Sequence, residues 1–552
     1  MSNRSQIDRD VFQHQLAGIA EEMSAALRRA AFSPIIWDMY DYSCALFSKQ
    51  GEMIAQAETI PAQIGVMSTA LRHIFAEIPL PSWEPGDVVI CNDPYRGCTH
   101  TPDMVLFSPV FRDDTIIGFT STIAHHVDIG GRLPSTTAPD NIEVFAEGLI
   151  FPPLKLVDCG KINDTVLRMI GANVRNPRAC IGDLHAQIAG CLTGEQRLGA
   201  LVDKYGTTRF AELTAECLDY GERYVRRSLA LLPSGQHRAE VFIEDGIASA
   251  DPMRIAVTVT IADDELTIDF TGTSPQRHNA LNCPFASTIS MSLYAVRCIV
   301  ARDIAQNDGC ARPVKVIAPS GSLLNPVRPA AVGIRHYTQQ AVADAVLKAL
   351  VEVAPDYSAA GCHISFPSFR AGGVDDRAEA QRRHSRPYFI IHDIIGGGMG
   401  AHRRGDGRNA VDTHGGNCAL LSAEITEMVS PVRVLRSELI SGSGGAGMHR
   451  GGLAMRREYE ILSERAVVSV YHQQCDETTA PWSVEGGGLG RAARAVLNPG
   501  RQGEYALGSK AIGLALTRGD VVRLESAGGG GWGDPAKRTS DNVARDSHEG
   551  YV

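Results

Sequence analysis

No apolar run in the 552 residues approaches the roughly 18 that a bilayer-spanning helix needs, so no membrane segment is expected. A basic stripe is also missing. Lys and Arg number 53 against 63 Asp and Glu, for a net charge of -10. Phosphate backbones are bound by clustered cations, so nucleic acid is not an expected partner. Thirteen cysteines include no CxxC pair, which points to reduced thiols used as small core residues rather than to disulfides. No GxxxxGK[ST] loop occurs, so the chain is not expected to hydrolyse ATP by itself. The opening MSNRSQIDRDVFQHQL has neither the basic start nor the apolar segment of a secretion signal, and a cytoplasmic location is expected.

What is present is the composition of a large globular protein, 44% hydrophobic and 21% charged, long enough for two to four domains. Residues 10–31 place Leu16, Ile19, Ala20, Met23 and Leu27 on one helical face. From Asp41 to Gly131, short apolar runs alternate with Gly, Pro and Asp turns, as in a mixed sheet with polar loops. A helix over 209–232 ends at LPSGQ. Ile255, Val257, Val259 and Ile261 then alternate, and beyond Asp263-Asp264 so do Leu266, Ile268 and Phe270, which reads as a β-hairpin. Helices are expected near 286–300 and 338–352, an exposed loop over 371–386, and short strands in a glycine-rich last third. The fold class is therefore mixed α/β (α+β) and multi-domain. We expect residues 1–235 to form an α/β domain with a metal site, 236–370 a central α/β domain, and 387–552 a glycine-rich, β-rich domain.

Two stretches carry ligand-type residues. In CNDPYRGCTHTPDM (91–104), His100 and Asp103 flank Pro102, and a turn there can aim both side chains at one point. In STIAHHVDIGG (121–131), a strand puts His126 and Asp128 on one face and His125 on the other. Periodicity favours His126 with Asp128, whereas a twist at Gly130-Gly131 favours His125. Hydrogen-bonded turn residues and a metal site weigh about equally on spacing alone, and the density of candidates tilts the balance to metal. Two imidazoles with two carboxylates suit zinc or manganese rather than magnesium or calcium, and the lack of thiolate points to a catalytic site. Cys44, Cys91 and Cys98 read as packed residues rather than nucleophiles. The runs IIGGGMG (394–400) and AGGGGWGDP (527–535) read as tight turns, and Arg403 and Arg404 as part of a solvated loop.

Taken together, DYSCALF (41–47), NDPYRGCTHTPD (92–103), AHHVDIGG (124–131), NVRNP with GDLHAQ (173–187), DFTGTSPQ (269–276), GSLLNP (321–326), GGGMGAHRRGDG (396–407), SGSGGAGMHRGGL (441–453) and GGGGWGDP (528–535) resemble the hydantoinase B / 5-oxoprolinase B family. That family also includes large subunits of ATP-dependent acetone and acetophenone carboxylases and a caprolactamase. The resemblance implies one divalent metal, zinc in preference to manganese, held by Asp41, His100, Asp103 and His125. It leaves His126 and Asp128 as orienting or acid/base residues. It further implies a separate ATP-binding A-type subunit carrying ATP-Mg, in a hetero-oligomer such as A2B2. The partner phosphorylates the amide or enol oxygen of a small cyclic amide or ketone, and the metal-bearing subunit completes the reaction. Departures from the family pattern at Cys98 and Thr101, at Arg335, His336 and Tyr337, and in NCALLSAEITEM (417–428) leave those ligands intact and bear on the substrate. The expected function is the B subunit of an ATP-dependent cyclic-amide hydrolase, with a ketone carboxylase subunit or a non-catalytic scaffold for an ATPase as alternatives.

Overall fold

The computed structural model describes residues 3–63, 65–247, 249–383 and 387–552. Helix α1 (Asn3–Ala30) buries Phe12, Leu16, Ile19, Met23 and Leu27, the apolar stripe that its sequence spacing requires. The short helix α2 (Pro34–Trp37) then turns the chain into the first sheet.

That sheet comprises β1 (Tyr42–Ser48), β2 (Met53–Gln56), β3 (Val88–Cys91), β4 (Asp103–Arg112), β5 (Thr115–His125), β6 (Leu154–Asp158) and β7 (Lys161–Ile162), in the order β2-β1-β5-β4-β3-β6-β7. A mixed sheet is the expectation from sequence, yet every pairing is antiparallel. Both faces are covered. Ala45, Phe47, Val105, Phe107 and Ile123 pack under α3 (Val66–Glu77). On the other face, Met104, Leu106 and Ile90 meet α4 (Asp164–Asn173) and α5 (Pro177–Tyr205) through Ile170, Cys180 and Leu184. Double burial is why β1 and β4 read as continuous apolar runs instead of alternating ones.

Helix α6 (Thr207–Leu229) leads to β8 (Gly235–Ile243), β9 (Met253–Ala262), β10 (Glu265–Asp269) and β11 (Val314–Ile317), in the order β11-β10-β9-β8. The expected hairpin is β9–β10, closed through Asp263 in the left-handed region at φ 53°. The expected helices are α7 (Phe285–Val300) and α8 (Arg335–Leu350).

The C-terminal third holds two sheets, β13-β12-β16-β19 and β14-β15-β20-β17-β18. Their strands are β12 (Ser368–Val374), β13 (Tyr388–Ile394), β14 (Val432–Leu439), β15 (Met455–Ile461), β16 (Ala466–Tyr471), β17 (Arg494–Leu497), β18 (Tyr505–Leu507), β19 (Lys510–Leu516) and β20 (Val521–Glu525). The expected loop over 371–386 is corrected here. Residues 371–374 belong to β12, which pairs with both β13 and β16, and α9 (Ala378–Arg383) follows, while 384–386 lie outside the described residues. Charge at 375–386 concealed a strand whose neighbours cover it on both edges.

The glycine runs are not isolated turns. Gly398 N–H donates to Ala527 O, Gly452 N–H to Met399 O and Gly529 N–H to Gly452 O, at 2.8–3.0 Å. A Cβ at Gly529 would stand 2.0 Å from Met399 O. Three backbones therefore stack at a separation that admits no side chain.

Candidate metal centre

Asp103 and His125 are direct partners across β4 and β5, and Tyr42 pairs with Ala124 across β1 and β5. His125 N–H also donates to Asp41 O at 3.1 Å. Asp41, His125 and Asp103 thus stand in a row at the ends of three adjacent strands. Asp103 and His125 share the parity of Val105 and Ile123, the α3 face.

His100 arrives from the loop between β3 and β4. Asp93 Oδ1 accepts from Tyr95 N–H at 3.0 Å to start its turn, and Asn92 Nδ2 donates to Thr101 O at 2.6 Å to pin its far side. Gly97, at φ 86°, lets this loop touch α3, where a Cβ would lie 2.7 Å from Ala70 N. The result is a tight cluster. His125 Nδ1 lies 2.8 Å and His100 Nε2 3.0 Å from Asp103 Oδ1, with the two nitrogens 3.2 Å apart.

The protonation pattern in this cluster suits a cation. His100 Nδ1 donates to Gly333 O at 2.9 Å, so the neutral ring turns an unprotonated Nε2 toward the cluster. Burial and the nearby Arg335 push the His100 imidazole down to about 4. Burial alone would raise the Asp103 carboxyl, but the imidazoles beside it and the Arg335 guanidinium hold it well below the usual range. A nitrogen lone pair and a carboxylate oxygen at 3.0 Å repel unless a proton or metal ion lies between them. Together with His125, they form a group of three donor atoms, all within 4.8 Å of one another, that could hold a metal ion. Asp41 lines the same cavity but is not one of those three. Desolvation pushes its carboxyl up to about 6, with His125 and Arg335 opposing the shift and Asp103 adding to it.

The cavity in front of the cluster encloses about 50 Å³, several times the roughly 10–15 Å³ one water needs. Its wall comes from distant segments that sequence reasoning did not assign: Arg335 and Gln339 of α8, Gln63, Arg370 of β12 and His392 of β13. Only Arg335 and His336 had left a signal, as departures from the family pattern in GIRHYTQQ. Larger cavities lie elsewhere on the molecule, one of about 650 Å³ beside Arg112 and Phe210 among them, but none holds this donor set.

His126 and Asp128, expected as acid/base residues, are absent from this wall. His126 has the parity of Ala124 and Thr122 and turns toward α5. There its Nε2–H donates to Gln187 Oε1 at 2.9 Å and its Nδ1 accepts from the Cys180 thiol at 3.5 Å. Asp128 accepts from Arg175 Nη1 at 2.8 Å and from the backbone N–H groups of Arg175 and Gly130. Both side chains spend their hydrogen-bonding capacity fastening the loop after β5 to α5. Periodicity pairs His126 with Asp128, whereas His100 comes over the α3 face and lies beside His125.

Among solved structures, the ATP-dependent caprolactamase of Pseudomonas jessenii matches with a TM-score of 0.90 and 29% identity, over 99% of this chain and 94% of that one. An acetone carboxylase in nucleotide-free form shares the fold, with a TM-score of 0.89 at 20% identity over 99% of this chain and 78% of that one. The putative B subunit of a D-/L-hydantoinase from Pseudomonas sp. is 32% identical over 97% of this chain and 91% of its own length. The 5-oxoprolinase of Pestalotiopsis fici is 30% identical over 95% of this chain, which spans 41% of that longer protein. No helix among the described residues is long and apolar enough to cross a membrane. The family model for hydantoinase B/oxoprolinase matches residues 5–535, and the chain belongs to that family.

Proposed function

We propose that this chain is the metal-bearing B subunit of an ATP-dependent hydrolase that opens a small cyclic amide of the lactam or hydantoin kind. The observation that carries the reading is the His100, Asp103 and His125 cluster at the floor of a cavity, in a chain matched along almost its whole length by relatives named for hydantoin and oxoproline hydrolysis. His100, Asp103 and His125, with Asp41 beside them, would hold zinc or, less favourably, manganese. A divalent ion held there supplies Lewis acidity toward a carbonyl oxygen.

The chain's own groups then have distinct work. Gly333 O fixes the tautomer of His100, and Arg335 holds Asp103 ionised and in place through a 2.8 Å bond to Oδ2. Gln63 Oε1 and Gln339 Oε1 line the cavity and have no hydrogen-bond partner among the described residues, so they offer acceptors for a ring N–H. A partner subunit of the A type, in an assembly such as A2B2, would phosphorylate the amide oxygen from ATP-Mg. Water addition at the activated ring carbon then breaks the C–N bond, the ring nitrogen leaving as the amine, and the acyl phosphate that remains takes a second water to give the carboxylate and inorganic phosphate. Carboxylation of a ketone has no separate observation in its favour, because the likeness to acetone carboxylase shows fold alone.

Reconstitution with the ATP-binding partner tests the reading. ATP turnover should depend on a cyclic amide, be indifferent to bicarbonate, and be absent from this chain alone. Turnover that needs bicarbonate and a ketone would reassign the protein to carboxylation. Partner ATPase activity unaffected by His100→Ala would reduce it to a scaffold.

A further inference from the structure

The cavity wall contains a cation that no carboxylate among the described residues neutralises. Arg370, on β12, is only 2% exposed. Among the described residues no carboxylate lies within ion-pair distance of it, whereas Arg335 on the same wall is paired with Asp103. Its Nε donates to His392 Nε2 at 3.2 Å, a second bond goes to Thr137 Oγ1, and the guanidinium carbon lies 5.0 Å from the Tyr471 ring centre. All of these partners are neutral. Burying a guanidinium without a counter-charge is costly, and such groups persist where a ligand supplies the missing charge.

The neighbours of Arg370 strengthen that indication. His392 Nε2 accepts from Arg370, so its proton sits on Nδ1, and Nδ1 has no partner among the described residues although the residue is 5% exposed. His336 Nε2 and Arg335 Nε are likewise buried without a partner among the described residues, and all four residues line the cavity that holds the metal cluster. Two N–H groups without acceptors among the described residues, His392 Nδ1 and Arg335 Nε, converge with an unpaired positive charge. Neutral lactams offer only one carbonyl oxygen to this set.

We infer that Arg370, with His392 Nδ1 and Arg335 Nε, forms an oxyanion subsite, and that the ring this enzyme opens carries a carboxylate. The inference rests on the proposed function for its ring chemistry and not for the oxyanion. A carboxylate accepts from a guanidinium in paired fashion and adds lone pairs for the flanking N–H groups, which satisfies the donors that the chain leaves open. A phosphoryl group passing through the site shares this chemistry and is the other source of an oxyanion.

Calorimetric titration of the metal-loaded chain with 5-oxoproline, with its carboxylate-free counterpart 2-pyrrolidinone, and with inorganic phosphate separates these outcomes without ATP or the partner. The wild type should bind 5-oxoproline about 10–100-fold more tightly than 2-pyrrolidinone, the range expected for a charge-assisted hydrogen-bonded contact. Arg370→Met should erase that preference, and Arg370→Lys should retain part of it. Arg370-dependent binding of phosphate with no preference between the rings keeps the oxyanion subsite and assigns it to the phosphoryl group. Equal affinity for both rings without phosphate binding, a preference that survives Arg370→Met, or no binding of any of the three overturns the inference. If Arg370→Met does not fold, the comparison of ligands on the wild type and on Arg370→Lys still decides. Failure of the reconstituted complex to open any cyclic amide would overturn the functional reading and leave this titration intact.

Discussion

Arg335 Nη2 donates to Asp103 Oδ2 at 2.8 Å, tying the start of α8 to the start of β4 across 232 positions of sequence. Asp103 Oδ1 is thereby left to face the two imidazoles. Outer groups that orient a metal ligand typically contribute about 10–100-fold to affinity or activity. Arg335→Ala should therefore weaken zinc retention against a chelator by about that factor. Arg335→Lys, a point charge without the planar fork, should fall between. Unchanged retention in Arg335→Ala would show that Asp103 needs no such support.

The two adjacent histidines should part company. The purified chain should carry about one zinc or manganese. His125→Ala should release it, since that imidazole provides one of the clustered donor atoms. His126→Ala should keep it. Removing a buried imidazole that Gln187 and Cys180 both bond should instead lower stability by about 1–3 kcal/mol. Elemental analysis and thermal melting of both variants, run side by side, test the pair. Metal lost from His126→Ala alone would reverse the assignment.

Glu147 gives a pH dependence that can be assigned to one residue. Its carboxyl accepts from Val332 N–H and Gly333 N–H, yet burial outweighs these bonds and pushes it from its ordinary 4.5 up to about 8. The folded chain thus holds a proton that the unfolded chain has released between these values. Folding stability from this residue is present below about 4.5 and declines as pH rises toward 8. At most a few kcal/mol is involved. Glu147→Gln should flatten the fall in melting temperature between pH 5 and 8. Because Gly333 O orients His100, the loss at high pH should appear at the metal cluster as well.

The glycine stack predicts a contrast between two equally conservative substitutions. Gly529→Ala would set a Cβ 2.0 Å from Met399 O, in backbone that cannot yield without breaking the hydrogen bonds of the stack. Destabilisation of about 3 kcal/mol or more, or failure to fold, is expected. Gly508→Ala meets nothing within 4 Å and should stay within about 0.5 kcal/mol of the wild type. Denaturant midpoints of the two variants provide the test.

Much of this protein can be read along the chain, because helices and hairpins depend on residues a few positions apart. The stripe of Leu16, Ile19, Met23 and Leu27, the hairpin around Asp263, the helices α7 and α8, and the clustering of His and Asp near residues 100 and 125 all belong to that local order. Strand β12 escaped the same reading, since its interior is Ala371, Gly372 and Gly373 and its stability comes from β13 and β16 on either side. The choice between His125 and His126 was beyond it too. Alternation says that the two side chains oppose each other but not which face His100 approaches. That face follows from the pairing of Asp103 with His125 and from a loop packed on α3 at Gly97. Arg335, Arg370 and His392 reach the cavity from more than 200 residues along the chain. Sequence determined the donor types, while side-chain direction and long-range register, which depend on every strand in the sheet, decided which of them meet.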